Sequence, residues 1–263
     1  MVHNTTTSPA ATLDGGELAG RRVLVTGASR GIGAATAQRL SAAGAEVVGV
    51  ARNTPAEVPE GIRFVSGDVR TEDGIQAIAD AALERLGGVD VIVNNASASR
   101  TFPQGSRSIP ADEWRDVFDV TLMSAVWLNA ALLPQMLERE SGAIIHIASS
   151  AAFNVPGAML HYGVAKAALI AYSKGLATEL AGSGVRVNTI TPGNVETPGA
   201  DQVREDLAAG FGVDVATINA AVPLGRIGRP EEIAEAVAYL VSDRAGYVVG
   251  ANLVIDGGEQ TRP

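Results

Sequence analysis

Seven short runs rich in β-branched residues recur along this chain, separated by segments with helical apolar spacing, and that alternation restricts its fold more than any other feature. The runs are Val23 to Thr26, Glu46 to Ala51, Arg63 to Val65, Val89 to Val93, Ala143 to Ala148, Val185 to Ile190 and Asn252 to Ile255. They are apolar on both faces, as strands are when helices cover each side of a parallel sheet. Strand and helix taking turns through short loops predict an α/β fold: a single doubly wound Rossmann domain with a seven-stranded parallel sheet and helices on both faces. The alternation runs to the last strand without a repeat or second domain, so that domain spans 18–263.

Local signals set the expected boundaries. Gly44 closes the first helix after Ala43, Thr71 and Asp112 are expected N-caps, and Pro230 followed by Glu231 and Glu232 opens a late helix. Pro134 is expected to bend or end a helix within Asp112 to Glu140. Residues 1–17, rich in Thr, Ser, Pro, Ala and Gly, read as a flexible tail. The long stretch from Glu196 to Val222 holds Gly199, Gly210 and Gly212 with weak helical patterning, and reads as a lid over a site.

Composition removes several function classes. With 29 acidic against 20 basic side chains the formal charge is −9, so no broad positive field draws nucleic acid or an anionic membrane. No cysteine is present, and His3, His146 and His161 are too scattered for a metal box, so no metal is expected. Met1 to Gly16 carries no Lys, Arg or apolar run, and no stretch approaches the roughly 20 apolar residues of a membrane span. The expected location is the cytoplasm and the expected partner a small molecule.

The first strand runs straight into Gly27-Ala28-Ser29-Arg30-Gly31-Ile32-Gly33, followed by a helical pattern. Glycines at such a turn let a pyrophosphate approach the free N–H groups and the positive end of the helix dipole. The flanking strand and helix make this a dinucleotide cradle formed by Gly27, Ser29, Arg30, Gly31, Ile32 and Gly33. Where the second strand ends, an acid would select NAD through the ribose hydroxyls. This chain has Val50-Ala51-Arg52 there. Arg52 and Arg30 favour a 2′-phosphate, so NADP(H) is preferred, with NAD(H) the alternative.

Tyr162 and Lys166 lie four residues apart, hence on one helical face. A free phenol has a pKa of about 10, and a neighbouring ammonium brings it toward use as a general acid or base. Lysine is scarce here: only Lys166 and Lys174 stand among the 20 basic residues. Ser149 ends the fifth strand, where its hydroxyl can bond a carbonyl oxygen, and Asn94-Asn95-Ala96 ends the fourth beside the cofactor.

Taken in order, the glycine motif, Asp68, Asn94-Asn95-Ala96, Ser149, Tyr162, Lys166, Pro192-Gly193 and Thr197 resemble the short-chain dehydrogenase/reductase family over about Leu18 to Gly258. The likeness is to its branch of 3-oxoacyl-carrier-protein reductases and microbial ketoreductases. It implies that Tyr162 exchanges a proton with the substrate oxygen, that Ser149 positions that oxygen, and that Lys166 holds the nicotinamide ribose and lowers the Tyr162 pKa. Asp68 and the Val69 backbone would contact adenine. Asn95, Ala96 and Ser97 would wall the cofactor, and Pro192, Gly193, Val195 and Thr197 would serve its nicotinamide end. Members are commonly tetramers, so a homo-oligomer, tetramer or dimer, is expected. The C-terminal Asp256-Gly257-Gly258 resembles the family as well.

Two positions depart from the pattern. Thr121 stands where the family has an asparagine that holds a water of the proton relay to the catalytic lysine, and Ser97 stands where it has glycine. Substrate is expected against Phe153, Pro156, Met159, His161 and the lid. The leading expectation is NADPH-dependent reduction of a ketone to a secondary alcohol. The alternatives are an alcohol dehydrogenase working in the oxidative direction and a cofactor-binding sensor or scaffold without turnover.

Overall fold

A computed structural model describes residues 16–98 and 100–260, with Phe211 described by its backbone. In chain order the elements are β1 (Arg22–Thr26), α1 (Gly31–Ala42), β2 (Glu46–Ala51), β3 (Ile62–Ser66), α2 (Glu72–Leu86), β4 (Val91–Asn94), α3 (Ala111–Phe118), α4 (Ser124–Glu138) and β5 (Gly142–Ile147). There follow α5 (Leu160–Glu179), β6 (Val185–Pro192), α6 (Pro198–Phe211), α7 (Val215–Ala220), α8 (Pro230–Val241) and β7 (Asn252–Ile255). The strands form one sheet in the order β3-β2-β1-β4-β5-β6-β7. Every neighbouring pair is parallel. This is the doubly wound fold that the alternation predicts.

Successive side chains of each strand enter opposite layers. Val23, Val25, Val93 and Ile145 pack under α1 and α8, while Leu24, Ile92 and Ile144 pack under α2, α4 and α5. The order of the strands reverses between β1 and β4, and in open α/β sheets a crevice opens at the carboxyl ends of the strands on either side of that point.

Several boundaries differ from expectation. The fourth strand starts at Val91, not Val89, because Gly87 and Gly88 turn there with φ of 68° and 147°. Asp90 is instead committed to Arg22, accepting from its Nη2 at 2.6 Å and its backbone N–H at 3.0 Å. Thr71 caps α2 as expected, accepting from the Gly74 N–H at 3.1 Å. Asp112 does not cap: Pro110 holds the N-cap of α3, and Asp112 lies in the first turn beside Glu113. Pro134 does not end α4 either. Its missing N–H orphans the carbonyl of Ala130, a residue that faces water, so the helix continues. The irregularity comes earlier, in a π turn over Asp119–Met123 that joins α3 to α4.

The continuous helical run Ala111–Glu138 also corrects the expectation that no segment is apolar enough for a membrane span. An 18-residue window of it has a mean hydropathy of 1.5, with 44% of it buried. Val120, Leu128, Leu132 and Met136 carry that apolarity into the layer against Leu24, Ile92 and Ile144, as in a core helix. The stretch Glu196 to Val222 holds two capped helices in place of weak patterning. Thr197 caps α6 by accepting from the Ala200 N–H, and Asp214 caps α7 by accepting from the Thr217 N–H. Of the expected tail, residues 1–15 lie outside the described residues. Gly16 and Glu17 sit in a turn, where Glu17 pairs with Arg244 at 2.5 Å.

Candidate active site

A cavity of about 480 Å³ lies along the carboxyl ends of the central strands. Its floor is the β1–α1 turn, with Gly27, Ser29, Arg30, Gly31, Ile32 and Gly33 all lining it. Arg52 reaches it from the end of β2, Val69 and Arg70 from beyond β3, and Asn95, Ala96 and Ser97 from beyond β4. His161, Tyr162 and Lys166 enter from α5, and Thr197 from the start of α6.

The turn is built to stay open to a ligand. Asn95 clamps it, donating from Nδ2 to the carbonyls of Thr26 at 2.9 Å and Gly27 at 3.2 Å. Thr26 Oγ1 in turn accepts from the N–H groups of Asn95 and Ala96, each at 3.0 Å. Gly33 is obligatory for this closeness, since a Cβ there would lie 2.2 Å from the Gly27 carbonyl oxygen and 2.4 Å from Asn95 Nδ2. The first turn of α1 has no side-chain cap and no acidic residue, whereas α2 carries Thr71, Glu72 and Asp73. Uncapped N–H groups with a positive dipole end suit a diphosphate. The donor set therefore fits a dinucleotide.

At the other end Tyr162 and Lys166 converge as their spacing predicts, with Nζ 5.8 Å from the phenol ring centroid. Lys166 is 2% exposed and donates to the Ile147 carbonyl at 2.7 Å. Burial drives its pKa down to about 7. The Tyr162 phenol is pushed above its ordinary value by burial, against the opposing hydrogen bonds of Ser149 and Ser97. Ser149 Oγ accepts from the Ala151 N–H at 3.2 Å, and its hydroxyl proton can be given to the phenol or to another oxygen in the site. Gly163 lets α5 close over this corner, because a Cβ there would meet Val155 Cγ1 at 2.5 Å and the Ala151 carbonyl at 2.6 Å.

Other expected residues lie outside the lining. Asp68 is engaged by Arg70, whose backbone N–H and Nη1 donate to it at 3.1 and 3.2 Å. Pro192 and Gly193 close β6, where a Cβ on Gly193 would come within 2.7 Å of the Asp256 Cα, tying this corner to Asp256-Gly257-Gly258. Val195 bridges to Gly228. Pro156 precedes the turn that buries Met159, while Phe153 is 49% exposed. Thr121 is 2% exposed, and its described partner is Ser97 at 3.1 Å, not Lys166. The two positions that depart from the family pattern thus contact each other.

Sequence reasoning passed over Arg70, Arg100, Glu113 and Asp116, all of which line the cavity. Arg70 Nε donates to Asp116 at 2.5 Å, and Arg100 pairs with Glu113. Arg70 directly follows Asp68-Val69, a signal that was available; the partners on α3 carried none. Phe102 and Trp114 stand edge-on to His161 at 5.4 and 6.1 Å between centroids, and His161 Nδ1 is buried without a hydrogen-bond partner among the described residues.

A sheet of this order with a cradle, a phenol and an amine at one crevice is the frame of a nicotinamide-dependent oxidoreductase. A family model described as enoyl-(acyl carrier protein) reductase matches residues 27–260. The chain belongs to the short-chain dehydrogenase/reductase family and is an enzyme of the alcohol and carbonyl oxidoreductase type. It is 37% identical over 245 residues to the 3-oxoacyl-[acyl-carrier-protein] reductase FabG of Escherichia coli, covering 91% of this chain and 97% of that one. It is 38% identical over 254 residues to the cis-4-hydroxycyclohexanecarboxylate dehydrogenase of Sinomonas cyclohexanicum, covering 93% and 98%. Among solved structures, the L-sorbose reductase of Gluconobacter frateurii complexed with NADPH and L-sorbose superposes with a TM-score of 0.85 at 32% identity, covering 94% and 98%.

Proposed function

We propose that this protein reduces a ketone to a secondary alcohol with NADPH. The single observation that carries this reading is the convergence of Tyr162 and Lys166 at the far end of a cavity whose floor is an uncapped helix N-terminus. Reduced nicotinamide, when bound, supplies the hydride. The chain's own residues do the rest. Gly27, Ser29, Gly31, Ile32 and Gly33 take the diphosphate, and Asp68 with Val69 flanks the adenine. Arg30 and Arg52, both lining the cavity, receive a 2′-phosphate.

Asn95, Ala96 and Ser97 wall the ring, and Pro192, Gly193, Val195 and Thr197 border its carboxamide. Ser149 donates to the substrate oxygen, and Tyr162 Oη gives that oxygen its proton as negative charge builds there. Lys166 holds the ribose and, when charged, favours the phenolate. Helices α6 and α7 serve as the lid, with Phe153, Met159 and His161 toward the substrate. The relatives include a 3-oxoacyl reductase, a cyclic-alcohol dehydrogenase and a ketose reductase, so the trial substrates are 3-oxoacyl thioesters, cyclic ketones and ketoses.

The test is steady-state turnover of that panel with NADPH and NADH, in wild type, Tyr162→Phe and Arg52→Asp. Tyr162→Phe is expected to lower kcat by about 10²–10⁴-fold while nucleotide binding persists. Arg52→Asp is expected to move preference toward NADH. Wild-type nucleotide binding without turnover, together with indifference to Tyr162→Phe, would replace this reading with a sensor.

A further inference from the structure

The loop between β3 and α2 carries an arginine held between two carboxylates at the cavity wall. Arg70 Nε donates to Asp116 on α3 at 2.5 Å, and its Nη1 donates to Asp68 Oδ1 at 3.2 Å. The Arg70 backbone N–H adds a third bond, to the same Asp68 oxygen at 3.1 Å. The N–H groups of a guanidinium all lie in its plane, so carboxylates on two elements fix that plane by its edges and leave its faces uncommitted. Arg70 and Asp116 line the cavity, as do Val69 and Val117 beside them, but Asp68 does not. The acid expected at the adenine is thus spent on the arginine, and a flat cation with apolar neighbours stands at that end of the cavity.

We propose that Arg70 is the wall on which the cofactor's nucleobase rests, face to face with the guanidinium, and that Asp68 and Asp116 are positioning residues that hold it there. The inference rests on the nucleotide reading above, which places adenine beside Asp68 and Val69. A guanidinium stacks on an aromatic ring and is attracted to its π face. An ion pair at each edge holds Arg70 in place beforehand, so less side-chain freedom is lost when the base arrives. Such a wall recognises a flat base without reading its edge. It accepts hypoxanthine as readily as adenine, whereas a carboxylate taking a hydrogen bond from the adenine 6-amino group would reject hypoxanthine. Arg30 and Arg52 keep the 2′-phosphate.

The test is nucleotide binding, which needs no turnover. Fluorescence titrations compare NADPH, its hypoxanthine analogue and reduced nicotinamide mononucleotide, which has no base, in wild type, Arg70→Met, Arg70→Lys and Asp116→Asn. Wild type should bind NADPH and the hypoxanthine analogue with similar affinity. Arg70→Met should weaken both by about threefold to thirtyfold, the range for one stacked cation. Arg70→Lys should lose nearly as much, because it keeps the charge without the plane. Asp116→Asn should lose part of that affinity and add nothing to Arg70→Met in the double variant. The mononucleotide should bind all of these proteins alike. Wild-type affinity for NADPH in Arg70→Met or Arg70→Lys overturns the wall, and so does a loss that the mononucleotide shares. A strong preference of wild type for NADPH over the hypoxanthine analogue also overturns it, and returns the base to Asp68. A wild type that binds no dinucleotide defeats the cradle and the wall together. One that binds NADPH but reduces no ketone defeats the reductase reading alone, and the titrations still decide the role of Arg70.

Discussion

Burial is the main influence on the protonation of His146 and Lys166, joined at His146 by the nearby Lys166 charge, and it acts in different parts of the pH scale. His146 sits inside β5, with Nδ1 2.9 Å from Ser173 Oγ and Nε2 3.1 Å from Asn129 Nδ2, and burial takes its pKa to about 3. The unfolded chain, with an ordinary pKa of 6.5, binds the proton first on acidification. Stability is therefore lost as pH falls from 6.5 toward 3, with a slope of up to about 1.4 kcal/mol per pH unit from this group. Lys166 has the same sign in another window: the unfolded chain holds the extra proton between about 7 and 10.5, so stability rises with pH there. Urea midpoints measured from pH 7 to pH 4 should fall steeply in wild type and less steeply in His146→Asn, whatever the variant's absolute stability. Equal slopes would refute the assignment. At this scale Tyr162 and Lys166 were readable because helical spacing alone brings them together. The Ser97 to Thr121 contact was not, because it depends on a π turn that no local spacing announces.

Elements meet at the mouth of α1, and here the tolerance for extra atoms is least. A methyl on Gly33 would fall 2.2 Å from the Gly27 carbonyl, so Gly33→Ala must push the helix off the β1 turn and the Asn95 clamp. The expected cost is about 1–3 kcal/mol. Nucleotide affinity should fall with it, as checked by thermal unfolding and fluorescence titration; retained affinity would show that the turn is not the cradle. Thr71→Ala is the contrasting change, at a residue outside the cavity lining and confined to the α2 cap. It should cost about 1 kcal/mol and leave turnover per folded molecule intact. The Thr71 cap and the Gly44 stop could be read from residue type, since one side chain or one missing Cβ decides each. Asp112 misled because Pro110, two residues earlier, already fixes the start of α3. Pro134 misled because solvent at Ala130 relieves the cost usually charged to an interior proline.

Across the molecule, the sheet ends abruptly at β7. One side of that strand pairs with β6, and its side chains remain largely in the open, Leu253 and Val254 among them, near exposed Tyr247 and Val249. An apolar edge left bare invites association, and a two-fold contact between copies would cover it. The protein is expected to sediment as a dimer or tetramer, and Leu253→Asp with Tyr247→Asp should shift it toward smaller species; a wild type that stays monomeric at high concentration would dismiss the idea. That the chain forms one α/β layer system followed from strand and helix taking turns. The bare edge was hidden, because β7 reads like any interior strand until its neighbours are known. The two helices of residues 196–222 were hidden likewise, their caps Thr197 and Asp214 being isolated among glycines.

The π turn at Asp119–Met123 accommodates one residue more than a regular helix would, without disturbing the packed stripe on either side. Excising a single residue there would straighten the rod joining α3 and α4 while both keep their register on the sheet, and the inward aim of Thr121 would go with it. A one-residue deletion there is thus expected to part Thr121 from Ser97 before it disturbs the layer beneath.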